Sequence, residues 1–373
     1  MKIRNKLAEL RAQQGLSAQQ LAEQAGVQRQ SIYAMEAGTY VPNTLIALRL
    51  AQTLQVKVEE LFSLEDEMPS AVAEQEVEVL DLGERLVPGQ PLQLCRIGTR
   101  TVGVPAAPVP VYLPPADAVL TRRAHTGRKS KARIQRFRVD KESTPTLLIA
   151  GCDPGISVLR RHLGKAGMEL VMASCSSSRA LELLKENQIH VAGSHLRDEK
   201  TGESNLPAVR ELFPRKNVVV ANFAVWEQGI VVARGNPKVI RKAEDLTRRD
   251  LRLINRQAGS GSRYLLDATL RQLGCKSSDI KGYDTIASGH IPAAWHVQSG
   301  FADYCVATRA AAQVFGLAFL PLMSERFDLV IPKHYLELPS VKALLDTLNR
   351  AAFRRELEIL GGYDTSQTGK RWM

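Results

Sequence analysis

Apolar side chains at the start of the chain recur every three or four positions, which is the spacing of amphipathic helices. The first run begins at Ile3, and later runs stop at Gly26 and Gly38, because glycine readily adopts the left-handed conformation that ends a helix. The last run is a single turn within VEELFSL, residues 58–64. The pattern predicts a bundle of five short helices, which we assign to residues 1–66.

Short apolar alternations broken by glycine and proline follow, as in LQLCRIGTRTVGVPAAPVPVYLPP. A period of two is typical of strands, so this region predicts a small β-rich unit or an elaborate connector over residues 67–141. Its second half is a poor candidate for central strands, because proline cannot donate a backbone hydrogen bond. The prolines concerned are Pro105, Pro108, Pro110, Pro114 and Pro115.

From about Thr146 the pattern changes to strand, loop and helix in regular succession. TLLIAGCDPGISVLRRHL begins the series, ELVMASCSSSRALELLKENQ repeats it, and IHVAGSHL supplies a third strand. Strands and helices that alternate at this length predict a parallel α/β sheet with helices on both faces, here over residues 142–373. The chain is therefore predicted to be multidomain, with an all-α bundle, a β-rich connector and an α/β domain.

Composition indicates whether this chain is a membrane, secreted or cytoplasmic protein. No apolar run among the 373 residues reaches about 18, which predicts no membrane span. The charged start lacks the apolar centre of a signal peptide. The five cysteines include no CxxC pair, which argues against a disulfide framework and against a thiolate zinc site. These features predict a cytoplasmic protein with no metal site and no cofactor.

The net charge of +11 is concentrated in RRAHTGRKSKARIQRFRVDK, residues 122–141, which has nine basic residues and one acidic residue, Asp140. One interpretation is an additional contact with DNA phosphates, which makes affinity steeply dependent on salt. The other is a solvated linker with a basic edge strand, since Ile134, Phe137 and Val139 indicate partial burial. The sequence leaves both interpretations open.

The segment LAELRAQQGLSAQQLAEQAGVQRQSIYAMEAGTYVPNTLIALRLAQTLQVKVEELF resembles the Cro and phage-repressor-type (XRE) helix-turn-helix family. Gly26 permits the tight turn, Ala22 lets two helices approach, and Ile32 anchors the third helix. The resemblance implies that this third helix enters the major groove of an operator, and that a homodimer reaches half-sites about 34 Å apart. The implied DNA-contacting residues are Gln19, Gln28, Arg29, Gln30 and Tyr33.

The stretch NRQAGSGSRYLLD, residues 255–267, places glycines and serines between a predicted strand, LRLIN, and a helix. Unpaired N–H groups at a helix start bind anions without a formal charge. GCDPGIS, residues 151–157, and SCSSSR, residues 174–179, have similar composition. Three such helix starts that face one cleft predict an anion site. For any one of them taken alone, helix capping is a sufficient explanation of the composition. The pattern lacks the third glycine of GxGxxG, so a dinucleotide site is not expected.

Residues 146–369 resemble the type II periplasmic-binding-protein fold, in the cytoplasmic form found in helix-turn-helix regulators and molybdenum-cofactor proteins. The resemblance rests on WEQGIVVARGNP (226–237), INRQAGSGSR (254–263), SGFADYCVA (299–307) and GGYDTSQTG (361–369) among other segments. It implies two lobes that close on a small anion, molybdate or tungstate above all. The candidate ligand-binding residues are Asp153, Ser157, Ser176, Ser177, His195, Arg256, Gly259, Ser260, Gly261, Ser262, Arg263 and Asp303.

The charged candidates also suit other ligands. Arg256 and Arg263 favour an organic carboxylate or phosphate, which arginine binds through two hydrogen bonds. A structural role is the alternative for each, such as pairing of Arg256 with Asp303 across the lobes. No catalytic signature is recognisable, so an enzyme is not expected. The two resemblances together imply a ligand-responsive transcriptional regulator. An enzyme or accessory protein of molybdenum-cofactor metabolism, and a second domain that only oligomerises, remain alternatives.

Overall fold

The computed structural model describes residues 3–64, 74–82, 86–106, 115–124, 131–137, 145–198, 201–215 and 217–373. Contacts divide the chain into two compact units, Met1–Ala73 and Glu74–Met373, and each is considered by itself. Within the described ranges, every helix is too short or too polar to cross a lipid bilayer.

The described part of the first unit contains five helices, as predicted, and two short strands. The helices are α1 Leu7–Gln13, α2 Ala18–Ala25, α3 Arg29–Glu36, α4 Thr44–Thr53 and α5 Val58–Leu61. The prediction of helix is wrong at the two ends of this pattern. There β1 Ile3–Asn5 and β2 Phe62–Leu64 are strands that pair antiparallel with each other. Such short apolar runs do not distinguish strand from helix, and here pairing between distant segments decides.

Capping residues fix where α2 begins and where it ends. The Ser17 hydroxyl accepts a hydrogen bond from Gln20 N, and the Gln20 side chain accepts one from Ser17 N. This reciprocal cap satisfies two N–H groups that the helix itself leaves unpaired. Gly26 ends α2 with a φ of 66°, a conformation that side chains with a Cβ rarely adopt. The turn therefore delivers α3 at an angle to α2, over a core that includes Leu21 and Ile32.

The predicted β-rich segment is a closed barrel. Its strands are β3 Gln75–Val79, β4 Pro91–Ile97, β5 Arg100–Pro105, β6 Ala118–Ala124 and β7 Lys131–Arg136, in the order β3-β5-β4-β6-β7. Pro105 ends β5 and Pro115 precedes β6, whereas Pro108, Pro110 and Pro114 lie outside the described residues. Proline is tolerated where a strand ends, because no further ladder bond is lost there.

The basic stretch lies partly in this barrel, in residues 122–124 and 131–137. The expectation of an edge strand is wrong for this part, because barrel closure gives β7 two neighbours, β3 and β6. Lys131 pairs with Glu76 at 2.8 Å, and Arg133 lies 3.6 Å from Glu74. Exposed pairs of this kind add little stability, but they neutralise charge locally.

The remaining residues form an α/β structure around a seven-stranded sheet. Its strands run in the order β14-β11-β15-β10-β8-β9, with β16 paired to β11, and a small separate ladder joins β12 to β13. The strands are β8 Thr146–Gly151, β9 Glu169–Ser174, β10 Val191–Ser194, β11 Val218–Val232, β12 Asn255–Arg256, β13 Ile286–Ala287, β14 Tyr304–Thr308, β15 Ala318–Pro332 and β16 Tyr363–Asp364. The helices are α6 Ile156–Lys165, α7 Ser177–Lys185, α8 Leu206–Leu212, α9 Gly261–Gln272, α10 His290–Gln298, α11 Arg309–Val314, α12 Pro339–Leu348 and α13 Ala351–Ile359. Short 3₁₀ helices occupy Ala243–Thr247, Ser277–Asp279 and Lys333–Tyr335.

The prediction of a parallel sheet is only partly correct. β8, β9 and β10 are parallel, but β11 and β15 are antiparallel over 15 residues each. The predicted strand LRLIN is reduced to β12, because Leu253 instead donates to Lys281 O. Periodicity shows where a strand lies but not which way its neighbour runs.

The long pair β11 and β15 connects two lobes. The first half of β11 packs Phe223 and Trp226 into one core, with α6, α12 and α13. Its second half packs Ile230 and Val232 into another, with α9. Gly229 lies between these two halves of β11. A Cβ there would come within 2.1 Å of Leu320 O, so a residue larger than glycine is excluded. The barrel shares a core with the first lobe, through residues such as Cys95.

Candidate functional site

Loops at the ends of several strands bring five buried side chains together. Cys152 and Asp153 follow β8, His195 follows β10, Arg256 ends β12, and His290 begins α10. Their exposed fractions range from 1% to 8%, so all five are removed from bulk water. The first three belong to the first lobe and the last two to the second lobe. Ligands of open α/β sheets bind at such carboxyl ends of strands.

A thiol and two imidazoles form the centre of this cluster. Cys152 Sγ lies 3.3 Å from His195 Nε2 and 3.7 Å from His290 Nε2. On the other side of its ring, His195 Nδ1 lies 2.7 Å from Glu325 Oε2. The Trp226 ring packs edge-on against both imidazoles, with centroids 4.9 and 5.1 Å away.

The electrostatic environment shifts the pKa values of Cys152 and His195 in opposite directions. Burial opposes ionisation of Cys152, but the charge and hydrogen bond of His195, with the charge of Arg256, lower its pKa overall. Burial also opposes protonation of His195, yet Cys152 and Glu325 together raise its pKa. Burial, with the charges of Arg256 and His195, lowers the pKa of His290 well below its usual value. The pKa of one imidazole is therefore raised and that of the other is lowered.

Arg256 is buried, and the ends of its guanidinium are left without a hydrogen-bond partner among the described residues. Both terminal nitrogens of its guanidinium are buried without a hydrogen-bond partner there, and Nε lies 3.4 Å from Gln257 Oε1. The alternative pairing with Asp303 is wrong, because Asp303 accepts from Arg252 N at 2.7 Å and faces the Arg252 guanidinium. An unpaired buried charge costs several kcal/mol, so this side chain favours an anion.

Asp153 presents a second unsatisfied atom. Its Oδ1 accepts hydrogen bonds from Gly155 N at 2.5 Å and from the Tyr363 hydroxyl at 2.9 Å. Its Oδ2 is buried without a partner in the described part of the chain. Burial raises the pKa of Asp153 to about 6, so this carboxyl changes charge close to neutral pH.

Two of the predicted helix starts converge on this cluster. Gly259, with a φ of 82°, lies where a Cβ would be 3.3 Å from Ser176 Oγ at the start of α7. At Gly261 a Cβ would come within 2.3 Å of His195 Nδ1, so α9 can approach the imidazole only with glycine there. The sequence identified these glycines from the composition of one loop, and the structure shows what they lie against.

The predicted serines act mainly within the protein. Ser176 and Ser260 cap α7 and α9 by accepting from Arg179 N and Arg263 N, both at 3.3 Å. Ser177 accepts from His195 N at 3.1 Å, and Ser262 accepts from Gln228 Nε2 at 2.8 Å. Their hydroxyls position the loops around the cluster.

Three predicted ligand-binding residues lie apart from the cluster or have other partners. Ser157 is exposed, and its hydroxyl donates to Pro154 O at 2.8 Å. Arg263 stacks on Tyr283 at 3.8 Å and donates to Arg256 O. Asp303 pairs with Arg252, as described above.

Other members of the site were missed from the sequence. Cys152 lies 43 residues from His195 and 138 from His290, so no local motif contains them. Glu325 is 130 residues from the histidine that it orients. A cleft of about 480 Å³ adjoins the cluster through His195, Gly261 and Glu325, and its outer wall includes Arg197 and Tyr264 of the two lobes.

In the first unit, the predicted DNA-contacting residues are all exposed. Gln28 precedes α3 as its N-cap, and Arg29, Gln30 and Tyr33 follow on that helix. The Arg29 guanidinium lies 3.0 Å from the Tyr33 hydroxyl, which holds both side chains on one face. Gln19, on α2, bonds to Glu23 at 2.8 Å.

Comparison with known proteins identifies relatives of both units. A profile of the PBP superfamily domain matches residues 159–349, and a helix-turn-helix profile matches residues 7–61. YvgK of Bacillus subtilis (strain 168), an uncharacterized protein, is 34% identical over 232 residues, which cover 62% of this chain and 75% of YvgK. YgzD of the same organism, an uncharacterized HTH-type transcriptional regulator, is 45% identical over 65 residues, which cover 17% of this chain and 98% of YgzD. Among solved structures, the sulfate-binding protein SubI from Mycobacterium tuberculosis H37Rv has 13% identity and a TM-score of 0.46, covering 60% of this chain and 86% of SubI.

Proposed function

Because this chain belongs to the PBP superfamily through residues 159–349 and carries an XRE-type helix-turn-helix domain in residues 7–61, we propose that it is a transcriptional regulator that senses a small anion. The helix-turn-helix binds double-stranded operator DNA as a homodimer, and the two-lobed domain binds the anion. We also propose that the chain divides into three domains, with boundaries near residues 66 and 141.

The main support for the proposed ligand class is the environment of Arg256. Its guanidinium is almost fully buried, and both terminal nitrogens lack a partner among the described residues. Arginine binds carboxylate and phosphate groups through two parallel hydrogen bonds. A ligand with two such oxygens would satisfy both nitrogens and neutralise the charge in one step.

This arrangement favours an organic carboxylate or a phosphate over molybdate or tungstate. Oxyanion sites built from neutral donors need hydroxyl protons directed at the ligand, whereas Ser157 donates its proton to Pro154 O and Ser260 donates its proton to Gln257 O, both at 2.8 Å. Molybdate or tungstate remains the second candidate, because the starts of α7 and α9 meet beside Ser176 and Gly259. Helix N-termini attract any small anion.

A regulator needs a ligand that distinguishes two conformations. An anion held by Arg256 of the second lobe and by loops of the first stabilises a closed arrangement of the lobes. A ligand shifts an equilibrium only by its difference in affinity for the two states. We propose that closure is the event that changes DNA binding.

A thermal-shift panel of the full-length protein tests the ligand class. The probes are phosphate, sulfate, molybdate, tungstate, and small mono- and dicarboxylates, and saturation at 100 times the Kd adds about 2.7 kcal/mol of stability. We expect stabilisation by a carboxylate or phosphate, and loss of that stabilisation in Arg256→Gln. The unliganded variant should be at least as stable as the wild type, because a buried unpaired charge has been removed.

Arg234→Gln is the matched control, because Arg234 is an exposed arginine in the same lobe. It should keep the full ligand-induced shift. Stabilisation by molybdate and tungstate alone would select the second candidate. If no anion stabilises the wild type, or if Arg256→Gln responds like the wild type, the proposed anion site is wrong.

A further inference from the structure

We propose that Cys152, His195 and His290 bind a divalent transition-metal ion of the zinc class. Their ligand atoms lie within 4.8 Å of one another, and all three side chains are buried. Zinc has Zn–S bonds of about 2.3 Å and Zn–N bonds of about 2.0–2.1 Å, so tetrahedral ligand atoms are separated by roughly 3.4–3.6 Å. The two sulfur-to-nitrogen distances, 3.3 and 3.7 Å, match this spacing closely.

The surroundings of His195 are those of a metal-binding imidazole. Its Nδ1 bonds to Glu325 Oε2 at 2.7 Å, which leaves Nε2 directed at the sulfur. Histidine ligands in metal sites usually give their second nitrogen to a carboxylate, which fixes the ring and raises its basicity. Glu325 lies opposite Trp226 in the β11–β15 ladder, so the strands that connect the lobes hold this arrangement.

His290 distinguishes a metal site from a simple thiol–imidazole pair. Cys152, His195 and Glu325 alone have the order of nucleophile, base and orienting carboxylate found in thiol enzymes. Such a triad does not require a second buried imidazole with its Nε2 3.7 Å from the same sulfur. One thiolate and two imidazoles form a ligand set suited to zinc and its neighbours, and unsuited to calcium or magnesium.

The ion would also connect this site with Arg256. Three protein ligands leave the fourth position of a tetrahedral ion open. A divalent ion and the Arg256 guanidinium together outweigh the charges of the thiolate and Glu325 when Asp153 is protonated, and balance them when Asp153 is ionised. An anion can therefore complete the coordination while it bonds to Arg256. This last step rests on the proposed anion-sensing function, whereas the metal site does not.

Co²⁺ is the probe that tests the metal site, because its absorption spectrum depends on the atoms that coordinate it. The chelator-treated full-length protein is titrated with Co²⁺ alone and then with competing Zn²⁺. We expect about one Co²⁺ per chain, with a thiolate-to-cobalt charge-transfer band that Zn²⁺ abolishes. Cys152→Ser should lose the band. His290→Gln should weaken binding more than tenfold, and Glu325→Gln should weaken it by about 10–100-fold, as outer-sphere changes do.

Cys275→Ser and His296→Gln are the controls, because both side chains are partly exposed and outside the cluster. Both should bind Co²⁺ like the wild type. In the wild type, Zn²⁺ should also protect Cys152 from alkylation by iodoacetamide, a readout that needs no variant to fold. Binding without the thiolate band, an unchanged Cys152→Ser titration, or rapid alkylation that Zn²⁺ does not slow would each overturn the site. Anion stabilisation of the metal-free protein is measured separately, so failure here leaves the test of the proposed function intact.

Discussion

The carboxylate of Asp328 is fully buried and accepts three hydrogen bonds, from Asn205 Nδ2 at 2.8 Å, Asn222 Nδ2 at 3.0 Å and Arg326 Nε at 2.8 Å. This is the usual state of a buried charge, because unsatisfied polar groups cost free energy. Arg256 and Asp153 differ, since each has a buried polar atom without a partner among the described residues. At the residue scale, satisfied and unsatisfied charges separate structural side chains from candidates for function.

His190 provides a prediction at this scale that is independent of the proposed site. It is buried, and its Nδ1 accepts a hydrogen bond from Leu148 N at 3.0 Å. Burial lowers its pKa from 6.5 to about 4, so the unfolded chain binds the proton more tightly between these values. The stabilisation is present above pH 6.5 and is lost as the pH falls towards 4, at up to about 1.4 kcal/mol per unit and about 3 kcal/mol in all.

Urea unfolding near pH 7.5 and pH 5 measures this loss. His190→Gln keeps an acceptor for Leu148 N but cannot be protonated, so its stability should fall less between the two conditions, by roughly 2 kcal/mol. The exposed His334→Gln should follow the wild type. Parallel pH dependence in wild type and His190→Gln would contradict the assignment.

At the element scale, helix starts determine what each helix presents. Ser17 and Gly26 set the ends of α2, and this leaves the start of α3 exposed, with Arg29 hydrogen-bonded to the Tyr33 hydroxyl. In the second unit, Ser260 begins α9 so that Gly261 lies against His195. In both places, a local capping pattern puts a helix N-terminus where a partner or ligand can reach it.

The exposed start of α3 leads to a prediction about DNA. Binding sites are first selected from a random duplex pool, and affinities for the enriched sequence are then measured by fluorescence anisotropy. Arg29→Ala and Gln30→Ala should each weaken binding by about 1–3 kcal/mol, or roughly 5–150-fold, and relax the preference at one base pair. Gln52→Ala, in an exposed position of α4, should bind like the wild type. Unchanged affinity in both α3 variants would exclude α3 as the reading helix.

At the scale of the whole molecule, the second unit consists of two lobes joined by β11 and β15. Register shifts interrupt this pair between Asn222 and Ala224 and between Gln228 and Gly229. Trp226 and Glu325, which contact the histidine cluster, lie between those two shifts. The cluster therefore contacts the strands that connect the two lobes.

Coupling between anion and DNA is the prediction that belongs to the whole molecule. The anion that stabilises best in the thermal-shift panel should change DNA affinity by about 1–3 kcal/mol, or roughly 5–150-fold, and DNA should change anion affinity by the same factor. Arg256→Gln should bind DNA but lose the response, whereas Arg234→Gln should keep it. A response of zero in a protein that binds both partners would contradict the proposed coupling, because a ligand with equal affinity for two states shifts neither.

The sequence by itself determined the elements whose causes are local. Apolar spacing and capping residues predicted the five helices of the first unit, and the glycine–serine loop predicted the start of α9. The resemblances predicted the helix-turn-helix and the two-lobed fold, which the family matches support. These features are readable because helix spacing, helix capping and tight turns each depend on residues a few positions apart.

Only the tertiary structure decided the features that join distant residues. Barrel closure gave β7 a second neighbour, and pairing of β11 with β15 made the large sheet mixed. Cys152, His195 and His290 meet across 138 residues. The terminal nitrogens of Arg256 have no hydrogen-bond partner in the described chain, and Asp303 pairs with Arg252 instead. No local pattern encodes such meetings, since they depend on how strand ends from two lobes are brought to one point.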